Sequence, residues 1–155
     1  MNKFEIEIDD LSDGSVVDLL RQHHEEMFLY SPAESIHALD VSRLRDPALT
    51  IWRASAYGEL AGCGALKELG TDHGEVKSMR TAKPYLRQGV AEQILSTLLA
   101  EARSRGYKRV SLETGTNEAF VPAIALYKKF GFEPCGPFGD YQDDPYSTFL
   151  TMPIV

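Results

Sequence analysis

Two neighbouring stretches, Glu75-Val76-Lys77-Ser78-Met79-Arg80-Thr81 and Leu86-Arg87-Gln88-Gly89-Val90-Ala91, decide how this chain is read. The first reads as a strand. The second is a turn that opens directly into a long amphipathic helix, in which Val90, Ile94, Leu98 and Ala102 recur four apart and Leu95 and Leu99 widen the apolar stripe. Arg103 and Arg105 stand in the last turn of that helix, where cations suit the helix dipole, and Gly106 ends it. The first turn of any helix presents unpaired N–H groups and a partial positive charge, so its natural ligand is an anion such as a phosphate oxygen. Gly89 lets the backbone approach a bulky phosphate group with no Cβ in the way, Ala91 keeps the next position small, and Arg87 adds a cation at the rim.

Outward from that segment the remaining elements follow their periodicities. Phe4, Ile6 and Ile8 alternate with Glu5, Glu7 and Asp9 as in a half-buried strand over Lys3 to Ile8. Asp13 or Ser15 caps a helix carrying Val16, Val17, Leu19, Leu20, Met27 and Phe28. Ser31-Pro32 interrupts it, a second short helix is expected over Ser35 to Arg45, and Asp46-Pro47 ends that one. Thr50 to Ala56 and Leu60 to Leu69 read as antiparallel strands about a Tyr57-Gly58-Glu59 turn. Thr71-Asp72-His73-Gly74 is read as a turn before the strand at Glu75. Later come a strand over Lys108 to Glu113, a helix over Phe120 to Phe130 stopped by Gly131, and a strand over Ser147 to Met152. This order predicts an α/β protein with a mixed sheet in one domain spanning residues 1–155.

Composition bounds the class. A chain of 155 residues with 43% hydrophobic and 25% charged residues is ordinary for a globular domain, and 10% aromatic argues against disorder. A net charge of −7 opposes the phosphate neutralisation that nucleic-acid binding needs, so no nucleic-acid partner is expected. No apolar run approaches a membrane span and no signal peptide is visible, so the expected location is the cytoplasm, away from any membrane. Cys63 and Cys135 form no metal or disulfide pattern and read as structural thiols. The His23-His24-Glu25-Glu26 run lacks the His-Glu-x-x-His spacing and reads as a solvated helix face, so no metal is expected. Asp140, Asp143 and Asp144 could attract a cationic amine, although acidic loops are commonly just exposed.

There is no Gly-x-x-x-x-Gly-Lys-Ser/Thr and no Gly-x-Gly-x-x-Gly after the first strand, which excludes a P-loop and argues against a dinucleotide-binding unit. Farther on, Ala123-Ile124-Ala125-Leu126-Tyr127-Lys128-Lys129-Phe130-Gly131-Phe132 places a Leu-Tyr pair on a helix closed by Gly-Phe. With both segments in hand, the chain resembles the GNAT superfamily of acetyl-CoA-dependent N-acetyltransferases. The family's pyrophosphate loop (Arg/Gln-x-x-Gly-x-Gly/Ala) and its Leu-Tyr…Gly-Phe helix occur in order across Glu75 to Phe132. Leu112-Glu113-Thr114-Gly115 and Cys135-Gly136-Pro137-Phe138-Gly139-Asp140-Tyr141 add a narrower likeness to small bacterial members. Two positions depart: Leu86 stands where the family usually has Arg or Gln, and Phe120 where many members place an Asn that contacts the pantetheine arm.

The resemblance implies a single mixed, mostly antiparallel sheet flanked by helices, with acetyl-CoA as acyl donor and no metal. It implies direct attack of a small-molecule amine on the thioester through a tetrahedral oxyanion. Cofactor contacts are implied at Met79, Thr81, Arg87, Gln88, Gly89, Val90, Ala91, Ala123 and Tyr127, with the Met79 N–H as oxyanion donor. Arg80 is expected to face solvent or the cofactor. Tyr127 is the candidate acid for the leaving thiolate, because a phenol stays protonated at neutral pH. Glu75 is the candidate base, with Glu113 on the neighbouring strand as the alternative, acting directly or through water. Ser35, His37 and Glu113 are placed on the acceptor side. Acetylation of a protein N-terminus or lysine, and an acyl-CoA sensor without turnover, stay open beside the small-amine reading. So does a homodimer.

Overall fold

The computed structural model describes residues 4–27, 41–116 and 118–154. Seven strands form one sheet in the order β1-β2-β3-β4-β5-β7-β6, with β1 at Glu5–Ile8, β2 at Leu49–Ala56, β3 at Glu59–Glu68 and β4 at His73–Thr81. β5 runs over Arg109–Gly115, β6 over Glu133–Pro134 and β7 over Ser147–Pro153. Every pairing is antiparallel except β4 with β5. This is the mixed, mostly antiparallel sheet that the sequence predicts.

Helix α1 (Ser15–Met27) covers one face and helices α2 (Val90–Ser104) and α3 (Val121–Phe130) the other. Alternation within the strands divides the core accordingly. Ile51, Cys63 and Ala65 pack with Val16, Leu19 and Leu20 of α1. Trp52, Ala54, Leu66, Val76, Val110 and Leu112 pack with the apolar stripe of α2 and with Tyr127. The stripe read from the sequence is buried almost completely, with Ile94, Leu95, Leu98 and Ala102 all at 0% exposure.

Local chemistry accounts for the boundaries. Gly14 precedes α1 and its carbonyl accepts the first helical bond, from Asp18, while Asp13 braces the start, its Oδ1 accepting from the backbone N–H and the hydroxyl of Ser15 at 2.9 and 2.7 Å. Tyr57 and Gly58 both take positive φ, +52° and +79°, as a two-residue hairpin turn requires. Gly131 closes α3 at φ +112°. Three readings need correction. His73 and Gly74 belong to β4 rather than to the turn before it, because they pair with Arg109 and Val110. Val41–Arg45 is a 3-10 helix, whereas residues 28–40 lie outside the described set. The two-residue strand β6 had no periodic signal to reveal it.

Candidate functional site

Strands β4 and β5 pair over a short stretch only, from His73 with Arg109 to Val76 with Leu112. Beyond it β5 stays joined to β7 as far as Gly115, and β4 to β3 as far as Thr81. The sheet therefore opens between Lys77 and Glu113, and the β5-side backbone of β4, Met79 included, borders a gap. A bulge in β4 bends the strand here: Ser78 and Met79 together oppose Gly64, and Ser78 takes φ +57°. A Cβ at Gly64 would stand 2.5 Å from Met79 Sδ and 2.6 Å from Ile94 Cγ2, so any larger residue there would displace both side chains. The Cys63 thiol, pushed up to about 12 by burial, donates to the Ser78 carbonyl at 3.3 Å. That is a structural role, and both cysteines are free.

A cleft of about 520 Å³ fills the opening beneath α1. Glu75 lies in its wall at 3% exposure. Its Oε2 accepts from the Tyr141 hydroxyl at 2.6 Å and from Lys77 Nζ at 3.3 Å, while Lys77 also donates to the Tyr141 oxygen at 3.0 Å. Burial, and then the charge of Glu75, push the Tyr141 phenol well up, so it remains a donor. Glu113 also lines the cleft and accepts from Ser147 Oγ at 2.8 Å. Tyr127 reaches the same cleft from α3 at 6% exposure, its ring edge-on to Phe132 at 5.7 Å. Burial pushes its phenol up as well, and its hydroxyl has no hydrogen-bond partner among the described residues. Phe120 covers Gly115, where a Cβ would meet its ring at 2.2 Å, so the departure at this position has a packing role.

The structure brings Glu75, Met79, Glu113 and Tyr127 to one cleft, and the other described site residues, Thr81, Arg87, Gln88, Gly89, Val90, Ala91 and Ala123, are not among those that line it. Thr81 ends β4, and Ala123 packs against the core from α3. In the loop before α2, Leu86, Arg87, Gln88 and Gly89 are exposed, with Arg87 at φ +62° and Gly89 at +86°. Gln88 Nε2 donates to the Pro84 carbonyl at 3.1 Å. The backbone N–H of Gln93 donates back to Gly89 at 3.1 Å, so those of Val90, Ala91 and Glu92 precede the first helical bond. The loop expected to hold an anion is an exposed left-handed turn at a helix start. Ser35 and His37 lie outside the described residues.

On the α1 side one reading is overturned, and for Arg80 the solvent-facing alternative falls. His23 and His24 line the cleft rather than forming a solvated face. Arg80 is half-buried against α1, ion-paired with Glu26, and its guanidinium is 3.3 Å from His23 Nδ1. An arginine can only donate, so Nδ1 accepts and the ring proton sits on Nε2. Burial, then the charge of Arg80, lower His23 to about 4 and keep it neutral. The helical spacing of His23 and Glu26 placed both on one face of α1, a signal the sequence did carry. The bond from Tyr141 to Glu75, by contrast, joins residues with no local relation. Among the described residues no group of acidic, histidine or cysteine side chains is arranged to hold a metal, and no helix is long and apolar enough to cross a membrane.

Residues 15–132 match the model of the acetyltransferase (GNAT) family. The chain belongs to that family. It is similar to the uncharacterized N-acetyltransferase YsnE of Bacillus subtilis, at 56% identity over 96% of this chain and 99% of that one. It is 49% identical to the uncharacterized N-acetyltransferase YedL of Escherichia coli over 97% and 95% of the two chains. The fold is shared with a GNAT family acetyltransferase from Elizabethkingia anophelis solved with acetyl-CoA bound, with a TM-score of 0.71, 19% identity and 99% of each chain covered.

Proposed function

We propose that this GNAT protein transfers an acetyl group from acetyl-CoA to the amine of a small molecule by direct attack. The observation that carries the proposal is the parting of β4 and β5 at Val76 and Leu112, which brings Glu75 and Tyr127 to one cleft from opposite faces of the sheet. The donor's fit is argued from the loop: Gly89 is in a left-handed turn with open space where a Cβ would be, and the N–H groups of Val90 and Ala91 follow it. Arg87 and Gln88 flank the pyrophosphate in this reading, Met79, Thr81 and Ala123 the pantetheine arm.

Each residue then has one task. Glu75, directly or through a water, takes a proton from the ammonium so that nitrogen can attack the thioester carbon. The Met79 N–H, in the gap, faces the oxygen that gains negative charge. Tyr127 gives its proton to the departing sulfur as the C–S bond breaks, and its unpartnered hydroxyl is set for that donation. The second proton of the nitrogen restores the phenol through solvent. The sum is one amide, one thiol and one proton released. Glu113 faces the acceptor, as do Ser35 and His37 in this reading.

Titration calorimetry with acetyl-CoA, followed by a thiol-release assay over a panel of small amines, tests the proposal. Micromolar binding and amine-dependent thiol release are expected. Absence of binding at high protein concentration overturns it, and binding with no release on any amine supports the sensor alternative.

A further inference from the structure

Among the described residues that line the cleft, two charged side chains have no hydrogen bond or ion pair, the exposed Asp140 and the half-buried Lys67. The Glu75 carboxyl is taken by Tyr141 and Lys77. Glu113 accepts from Ser147, and Asp46 accepts from the backbone N–H of Ala48 at 2.9 Å. Glu68, next to Lys67 in sequence, accepts from the Tyr107 hydroxyl at 3.1 Å. Lys67 itself lines the cleft, half-buried, directly across from Glu75 in the β3–β4 register. Among the described residues its ammonium has no ion pair and no hydrogen bond. A half-buried cation facing a cleft whose less exposed carboxyls, Glu75 and Glu113, are engaged elsewhere is suited to an anion that arrives with the ligand.

Where Lys67 stands sets the spacing. Met79, at the gap, is four residues along β4 from the Lys67–Glu75 row, and β3 lies one strand to the side. At about 3.3 Å per residue and about 5 Å between strands, shortened somewhat by the bulge, the separation is roughly 10–14 Å. A lysine side chain covers part of that span, and the ligand must cover the rest. We infer that the acceptor carries a carboxylate several bonds away from its reacting amine, and that Lys67 receives it. The inference rests on the acetyl-transfer reading above and names the acceptor class for that site. Arg43, also in the cleft wall, is on the same side.

A homologous series of ω-amino acids, from glycine to 6-aminohexanoate, assayed beside unbranched alkylamines of matching length, tests it. Expected is a kcat/KM that rises with chain length among the amino acids and exceeds that of the matched alkylamine by about tenfold at the longer end. Lys67→Met is expected to lower that ratio about tenfold through KM, and Lys67→Arg to retain it. Equal or better use of alkylamines, or an unchanged ratio in Lys67→Met, overturns the inference. Acetyl-CoA binding with neither series acetylated overturns it too while leaving the donor site standing; loss of acetyl-CoA binding overturns both readings at once.

Discussion

In the loop that opens α2, Leu86, Arg87 and Gln88 project into solvent and the geometry comes from backbone torsions at Arg87 and Gly89. In the cleft beneath α1, side chains from α1, β4, β5, α3 and the segment before β7 converge, and Glu75 is shielded from water by a tyrosine 66 residues away. The first region is made of main chain and is indifferent to most side chains. The second is made of side chains, each held by another. Changes in the loop should therefore act mildly and on the donor, and changes in the cleft strongly and on turnover.

The sharpest way to break this contrast is Glu75→Gln. The amide keeps an acceptor for Tyr141 but cannot take a proton, so turnover should fall about 100-fold while acetyl-CoA affinity stays within about twofold. Retained turnover would move the base to Glu113. Tyr127→Phe comes next, with kcat lowered about 30-fold in the thiol-release assay and little change in donor binding by calorimetry. Equal loss of both would make Tyr127 a packing residue. In the loop, Gly89→Val forces a branched residue into a left-handed turn, although nothing lies within 4 Å of the new Cβ. The expected cost is about 1–2 kcal/mol in thermal unfolding, with an acetyl-CoA Kd about tenfold higher. The smallest effect belongs to Leu86→Arg. Leu86 is 54% exposed, so stability should not move, and an added surface cation should tighten acetyl-CoA two- to fivefold, less so at high salt.

The same contrast explains what the sequence disclosed. Helix α2 was legible because its stripe repeats at the helical period and Gly89 marks its start. The Tyr57-Gly58 hairpin and the stop at Gly131 were legible because glycine tolerates positive φ where other residues do not. Glu75, Glu113 and Tyr127 could be proposed as site residues through the family resemblance, while strand and helix periodicity fixed only which elements carry them. The bonds among them could not, because Tyr141 reaches Glu75 across a segment with no regular pattern and Arg80 is turned toward α1 by a bulge with no glycine of its own. His23 shows the opposite error, in which a periodic face existed and its burial against Arg80 did not show.

The bulge at Ser78 also sets the parity of β4. Counting by twos from Glu75 and Lys77 would put residue 79 on the α1 face; with one residue absorbed at the bulge, Met79 turns toward Gly64 and α2, and Arg80 takes the α1 face. One strand thus writes on both sides of the sheet, with its first half addressed to α1 and its second half shifted by one letter. Straightening β4 with every residue kept would send Arg80 into the apolar core, whereas a single-residue deletion at Ser78 would remove the bulge and leave Met79 toward α2 and Arg80 toward α1. The extra residue at the bulge, more than any one side chain, therefore decides which helix each later residue of β4 meets.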